Sequence, residues 1–103
     1  MIIIRGYKVY PRFIEEALYK HPSVEECIVA GVPDAARGET VWAWVKPLAG
    51  RTVTEEDLKQ FLSDKLSPIE IPRKIIIREK PLPRTAVGKL SKKDLLAEEG
   101  ISK

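Results

Sequence analysis

Short apolar segments separated by turn residues predict how the chain folds at its start. Residues 2–4 and 7–10 alternate like strands on either side of Gly6, which has the backbone freedom that a hairpin turn needs. Pro11 suits the first position of a following helix. The apolar face of that helix repeats at helical spacing and consists of Ile14, Ala17 and Leu18.

Two longer apolar segments predict a pair of central strands. The first covers residues 24–32 and is expected to stop at the Gly-Val-Pro-Asp segment 31–34. The second covers residues 41–45, where the strand period of two places Trp42 and Trp44 on one face and small apolar residues on the other. We expect the tryptophans to pack beneath a helix rather than to form a binding surface.

The second half of the chain predicts helix, strand, loop and helix in turn. Thr54 caps a helix with acidic residues in its first turn, and the apolar stripe continues until residues 67–68 end it. Residues 73–78 enclose three isoleucines, as in a strand that is buried on both faces. Residues 81–88 contain two prolines and a glycine and predict a loop, after which Ser91 caps the last helix.

The resulting order, ββ-α-β-β-α-β-α, indicates a mixed α/β (α+β) fold. We expect a small sheet of about three strands, flanked by helices, together with an N-terminal β-hairpin. The 103 residues suffice for a single domain, and a composition of 44% hydrophobic and 32% charged residues is that of a globular protein.

The numbers of cysteine and histidine residues exclude several kinds of site. The single cysteine, Cys27, excludes an internal disulfide, and its apolar surroundings predict a buried, unreactive thiol. One cysteine and one histidine provide neither a Cys/His metal cluster nor a good catalytic triad, so no metal site is predicted. No apolar stretch approaches 18 residues, so we expect no transmembrane segment and a soluble, cytoplasmic protein.

The net charge of +3 conceals a basic segment near the C-terminus. Residues 73–93 hold eight basic residues and one acidic residue, a net charge of +7, which leaves −4 for the rest of the chain. Such a segment would suit an anionic partner, and one alternative is a free-standing anion- or nucleic-acid-binding module. The segment contains no aromatic residue on which a base could stack, so we expect no nucleic-acid partner.

Three sites carry candidate chemistry. Lys89 directly follows Gly88 and presents a point charge suited to a phosphate or carboxylate, although the residues around it are not those of a P-loop. Gly6 lies at a hairpin tip flanked by cations and a tyrosine, where a ligand can approach the backbone closely. Arg37, before a glycine, is a third candidate for contact with an anion. Taken singly, each is more simply explained as an ordinary surface feature.

Taken together, these motifs resemble the small C-terminal domain of the adenylate-forming enzymes, which include acyl-CoA synthetases, adenylation domains of peptide synthetases, and luciferases. The resemblance covers nearly the whole chain. It rests on IIIRGYKVYP at residues 2–11, VAGVPD at 29–34, RGE at 37–39 and LPRTAVGK at 82–89. The form of the first motif is most similar to that of fatty-acid–CoA ligases.

The resemblance implies a two-step reaction that consumes ATP and coenzyme A. A carboxylic acid, expected to be a fatty acid, becomes an acyl-adenylate, and coenzyme A then displaces AMP. Lys89 matches the catalytic lysine of the first step, with Thr85 and Gly88 supporting its loop. The coenzyme A contacts implied for the second step come from five residues: Arg5, Gly6, Tyr7, Lys8 and Arg37.

The resemblance also implies a missing partner. The large domain that binds ATP, the acid and Mg²⁺ would precede this chain, which we expect to be a single domain, residues 1–103, separated at the hinge and inactive alone. Two residues depart from the family pattern: Phe13 stands where glutamate is common, and Glu70 stands where lysine is frequent. Two alternative functions stay open. The chain could belong to an aryl- or amino-acid-activating enzyme, or it could be an assembly module that docks through Trp42 and Trp44.

Overall fold

The elements follow the predicted order. A computed structural model of the protein describes residues 2–4, 6–36 and 38–101. Within these residues lie five strands and three helices: β1 (Ile2–Ile4), β2 (Tyr7–Val9), α1 (Pro11–Tyr19), β3 (Val24–Asp34), β4 (Gly38–Pro47), α2 (Glu55–Leu62), β5 (Lys74–Ile77) and α3 (Lys92–Glu98). None of the described helices is long and apolar enough to span a bilayer. The mixed class and the three-stranded sheet are confirmed.

The central sheet has the strand order β3-β4-β5. Strands β3 and β4 form a long antiparallel hairpin, with Asp34 opposite Gly38 at its turn. Strand β5 lies parallel to β4, which is possible because α2 provides the crossover between them. Strands β1 and β2 form the separate, predicted hairpin, in which Ile2 pairs with Val9.

The sheet is covered on both faces by apolar side chains. One cluster, the helix-pair face, packs the hairpin, α1 and α2 against side chains such as Val29 and Ala43. The other, the tryptophan face, packs α3 and Leu82 against Ile28 and Trp44. The two tryptophan rings lie on this same face with their centroids 6.0 Å apart, and Trp44 is fully buried, as predicted.

The end of β3 differs from the prediction. The strand continues through Pro33 to Asp34 instead of stopping at residues 31–34, and β4 begins at Gly38 instead of Val41. Proline is tolerated at position 33 because β3 is an edge strand. The N–H groups of Cys27 and Val29 lie on the same side of the strand as the nitrogen of Pro33, and they point away from β4 and bond to α1. The missing N–H of Pro33 therefore costs the β3–β4 ladder nothing.

Helix α2 is shorter than its apolar stripe suggests. It begins as predicted at the cap Thr54, which forms a full capping box with Asp57. It ends at Leu62, where the Ser63 hydroxyl donates to the carbonyl of Gln60, and the chain then continues in turns. Leu66 lies beyond the helix and still packs against the helix-pair face.

Side chains from two helices bond to the outer edges of the sheet. On β3, the Val29 N–H donates to Glu15 Oε2 at 2.9 Å, and the Cys27 N–H donates to the Tyr19 hydroxyl at 3.3 Å. On β5, the Ile75 N–H donates to Glu55 Oε2 at 2.7 Å. Each helix thereby supplies acceptors that the sheet edge would otherwise find in water.

Glu55 is expected to stabilise the fold in a pH-dependent way. The bond from Ile75 N–H, together with the charge of Lys59, lowers the pKa of Glu55 from its ordinary value of 4.5 despite partial desolvation. Its contribution is therefore complete above about pH 4.5 and is lost as the pH falls through the lower, folded-state pKa. Glu55→Gln should reduce the free energy of unfolding in urea at pH 7 by about 1 kcal/mol, since a neutral acceptor replaces a charged one.

Glu56→Gln is the matched control, because Glu56 lies in the same helical turn but is exposed. The difference between the two variants should stay constant down to about pH 4.5 and shrink as the pH falls further towards 3. A difference that persists undiminished at pH 3 would contradict the assignment of the effect to the ionised carboxylate.

The cysteine is buried, as predicted. Cys27 faces α1, where its thiol donates to the carbonyl of Glu15 at 3.7 Å. Burial, with a smaller contribution from the nearby Glu15 carboxylate, raises the pKa of the Cys27 thiol to about 12. The thiol therefore stays protonated at neutral pH, which suits a packing role and not a nucleophilic one.

Candidate functional site

The segment that contains Lys89 forms a tight hairpin, residues 83–91, which we call the lysine hairpin. Its two sides pair at Arg84 and Leu90, and the Ser91 N–H closes its base by donating to the Pro83 carbonyl at 2.7 Å. The sequence predicts only a loop here, because prolines cannot donate to a ladder. Pro83 can still belong to the hairpin, because the base needs only its carbonyl, which accepts the bond from the Ser91 N–H.

The turn of the lysine hairpin is held by three bonds between its own residues. The Thr85 N–H donates to the Lys89 carbonyl at 2.7 Å, and the Gly88 N–H donates to the Thr85 carbonyl at 2.9 Å. The Lys89 N–H donates to Thr85 Oγ1 at 3.3 Å. Gly88 has φ +85°, a left-handed conformation that completes a turn of this length. Of the two predicted support residues, Thr85 bonds to the backbone of Lys89 and Gly88 directly precedes it.

The charge of Lys89 is accessible to solvent. Lys89 is exposed, and no other described residue lies within ion-pair or hydrogen-bonding distance of its Nζ. Bonds within the turn fix the backbone of Lys89, whereas its charged Nζ has no partner among the described residues. Such a cation can meet an anion on another molecule or domain.

Two charged residues to which the sequence assigns no role anchor the lysine hairpin to the sheet. Glu26 on β3 accepts from the Leu82 N–H at 3.1 Å and forms an ion pair with Arg84. Arg84 also donates through Nη1 to the carbonyl of Gly88 at 2.7 Å, inside the turn. The only signal in the sequence is an acidic residue next to an apolar run, which does not identify its partner 58 residues away.

The predicted hairpin tip at Gly6 is exposed and rests on a buried base. Gly6 has φ +86°, and a Cβ atom added there would meet nothing within 4 Å. Tyr7 is 64% exposed and Lys8 is also exposed, whereas the apolar residues of the same hairpin are buried in the helix-pair face: Ile2, Ile4 and Val9. Its described residues therefore offer open backbone, one aromatic ring and one cation.

The base of the Gly6 hairpin is fixed to the far end of the sheet. The Ile3 N–H donates to Glu39 Oε2 at 3.0 Å. A Cβ at Gly31 would lie 3.0 Å from Ile2, so the glycine of the VAGVPD motif is what allows the hairpin to sit this close to β3. The two arginines predicted beside this site, Arg5 and Arg37, lie outside the described residues.

The lysine hairpin and the Gly6 hairpin attach to opposite ends and opposite faces of the sheet. Glu26 contacts Leu82 of the tryptophan face, whereas Gly31 faces Ile2 of the helix-pair face. Five residues of extended strand separate the two attachment points, a distance of about 17 Å. The described residues therefore present two separate candidate sites instead of a single shared one.

The two departures from the family pattern lie in one cleft. Phe13 and Glu70 both line a cavity of 390 Å³ between α1 and the turns after α2. Phe13 is 60% exposed and packs edge-on against Tyr10, with ring centroids 6.2 Å apart. The Glu70 carboxylate accepts from both the N–H and the hydroxyl of Ser67, each at 2.9 Å, and so stabilises its own turn.

Comparison with known proteins identifies the family. The AMP-binding enzyme C-terminal domain matches residues 13–89, which is most of the chain. The chain belongs to this family. The predicted resemblance to the C-terminal domain of adenylate-forming enzymes is therefore confirmed.

Relatives of this AMP-binding C-terminal domain are much longer proteins. The chain is 48% identical over 99 residues to the long-chain-fatty-acid–CoA ligase of Bacillus subtilis (strain 168), a match that covers 96% of this chain and 18% of the ligase. It is 36% identical over 98 residues to the oxalate–CoA ligase of Arabidopsis thaliana, covering 95% and 19%. The crystal structure of apo MatB from Rhodopseudomonas palustris superposes with a TM-score of 0.86 at 36% identity, covering 93% and 19%. The chain spans about a fifth of each.

The cations of the basic segment are dispersed in this AMP-binding C-terminal domain. Arg78 pairs with Glu98, and Arg84 pairs with Glu26. Lys74 Nζ lies 4.8 Å from the centre of the Trp42 ring. These charges are engaged in separate contacts, which does not favour a continuous surface for nucleic acid.

The tryptophans of the AMP-binding C-terminal domain are engaged within it. Trp44 is fully buried, and its indole N–H donates to Glu99 Oε1 at 2.6 Å. Trp42 is half-buried in the same cluster. The buried Trp44 is unavailable for docking, which argues against the assembly module.

Proposed function

We propose that this domain is the catalytic lid of an ATP-dependent, AMP-forming acyl-CoA synthetase that acts on fatty acids. The observation that carries the proposal is Lys89, an exposed cation without a described partner on a backbone held by its own turn. The CoA ligases among its relatives support the reaction class. Because the chain spans about a fifth of those proteins, the activity belongs to a longer protein, and the domain alone is expected to be inactive.

Lys89 would act in the first half-reaction. An oxygen of the substrate carboxylate forms a bond to the α-phosphorus of ATP, and pyrophosphate leaves. Both reactants are anions, so a lysine Nζ between them offsets their repulsion and stabilises the charge that develops during transfer. Thr85 and Gly88 would support this role by fixing the backbone of Lys89 through the bonds of the turn.

Magnesium is assigned to the large domain in this proposal. Among the residues that the structure describes, no three His, Cys, Asp or Glu side chains come together as metal ligands. In this proposal, the described residues therefore take no part in holding the ion.

The Gly6 hairpin would act in the second half-reaction. The sulfur of coenzyme A forms a bond to the carbonyl carbon of the adenylate as the thiol loses its proton, and AMP leaves. Open space at Gly6 allows the pantetheine chain to pass close to the backbone beside Tyr7. The phosphates of coenzyme A would be bound by Lys8 together with Arg5 and Arg37.

The separation of the two hairpins suits a domain that changes orientation between the steps. The Lys89 and Gly6 hairpins are attached to opposite faces of the sheet, so one active centre on a large domain would meet them in turn. A rigid-body swing would present Lys89 for adenylation and Gly6 for thioester formation. The large domain of the same enzyme is thus the expected partner.

The proposed acid is tested by a substrate panel. The complete ligase containing this domain is assayed for acid-dependent CoA thioester formation with hexanoate, dodecanoate, hexadecanoate, benzoate, oxalate and malonate. We expect kcat/KM for the best fatty acid to exceed that for oxalate or benzoate by a factor on the order of 10² or more, because long apolar chains bury additional methylenes.

The same panel separates substrate from reaction class. Efficient thioester formation with a dicarboxylate or aryl acid in place of fatty acids would refute the substrate assignment and leave the ligase reaction standing. Formation of an acyl-adenylate that is never converted to a CoA thioester would refute the ligase reaction itself.

A further inference from the structure

A three-part contact joins the central sheet to the turn that carries Lys89. Glu26 on β3 accepts from the Leu82 N–H at 3.1 Å and pairs through its other oxygen with Arg84. The guanidinium of Arg84 also donates to the Gly88 carbonyl at 2.7 Å. One planar group therefore links the strand to the residue directly before Lys89.

This contact fixes orientation in a way that the hairpin cannot achieve by itself. The bonds within the turn define its shape but leave its angle to the sheet undetermined. Glu26 is only 9% exposed, so its carboxylate is a nearly buried group whose bonds have defined directions. Desolvation opposes ionisation, but the bonds from Leu82 and Arg84 outweigh it and lower the pKa of Glu26, so the ion pair is intact at neutral pH.

We propose that Glu26 and Arg84 are positioning residues that aim Lys89 at the reacting phosphate during adenylation. The proposal rests on the function proposed above for Lys89. Lys89 has a long, flexible side chain, so a small rotation at the base of its hairpin displaces Nζ substantially. A misplacement of about 1 Å at a reacting centre can cost about 10²-fold in rate.

The kinetic test uses Glu26→Gln, Arg84→Met and the double variant in the complete ligase. We expect kcat for ATP–pyrophosphate exchange to fall about 10- to 100-fold, with KM for ATP changed less than about threefold. The release of CoA thioester from preformed acyl-adenylate should change by less than about threefold, since Lys89 takes no part in it. The double variant should be no worse than the more impaired single variant, because both changes break one contact.

The structural test uses the 103-residue chain itself. Amide hydrogen exchange by NMR should quicken at least about tenfold at Thr85 and Gly88 in Arg84→Met, while amides of β4 keep their protection. Arg84 is suited to this test because its side chain is 48% exposed, so its loss spares the core. Glu25→Gln is the matched control, since Glu25 neighbours Glu26 and pairs with Lys46 instead of the hairpin.

The outcomes distinguish this inference from the proposed function. Unchanged exchange at Thr85 and Gly88 in Arg84→Met would overturn the positioning role, as would equal losses in the two half-reactions. A different pair of results would overturn the proposed function: pyrophosphate exchange survives Lys89→Ala, although Arg84→Met loosens the lysine hairpin. Lys89 would then not be catalytic, and there would be no reason to position it.

Discussion

Lys89→Ala is expected to lower ATP–pyrophosphate exchange by the complete ligase by a factor on the order of 10²–10³, the usual cost of removing one electrostatic stabiliser of a transition state. The exposed Nζ of Lys89 has no described partner to lose, so the substitution should leave folding intact. Thioester formation from synthetic acyl-adenylate should change by less than about threefold, because we assign that step to the Gly6 hairpin on the other face of the domain.

Lys93→Ala is the matched control for Lys89→Ala. Lys93 is an exposed lysine of the same basic segment, four residues further along and outside the lysine hairpin. It should retain both half-reactions, since a surface charge outside the site contributes only a weak, long-range attraction that salt screens. Equal losses in the two variants would mean that general positive charge, and not the position of Lys89, promotes adenylation.

Gly6→Leu should produce the opposite pattern. A side chain at this exposed tip would enter the space proposed for pantetheine, so thioester formation should fall by a factor on the order of 10², whereas pyrophosphate exchange should stay within about threefold of wild type. The substitution also places a side chain at φ +86°, which costs about 1–2 kcal/mol of stability.

Gly50→Leu isolates the backbone cost of that substitution. Gly50 has φ +77°, and an added Cβ there also meets nothing within 4 Å, but it lies in the turn after β4. Both variants should lose similar stability in thermal unfolding, and only Gly6→Leu should lose thioester formation. Comparable loss of thioester formation in Gly50→Leu would attribute the effect to strain and remove the channel role of Gly6.

Features governed by local chemistry could be predicted from the sequence. Gly6 provides the left-handed turn of the hairpin, and Thr54 and Ser91 accept bonds from N–H groups at the start of their helices. The strand period alone places Trp42 and Trp44 on one face. Each of these depends on residues a few positions apart, which a pattern reveals directly.

Features governed by distant contacts could not be predicted. Pro33 continues a strand because that strand lies at an edge of the sheet, which is a property of the assembled topology. The partner of Glu26 is 58 residues away, and several arginines in the basic segment match it equally well by charge. Lys89 is recognisable from its motif, whereas the contacts that hold its hairpin exist only in the folded domain.

The bonds that Glu15, Tyr19 and Glu55 accept at the sheet edges would matter for a domain that leaves its partner in each catalytic cycle, as proposed here. Each departure would expose a small sheet to the crowded cell, where unpaired strand edges invite other chains to join them. Here the outward N–H groups of Cys27, Val29 and Ile75 are already occupied. If the domain swings as proposed, these occupied groups would make its sheet edges poorer templates for aggregation.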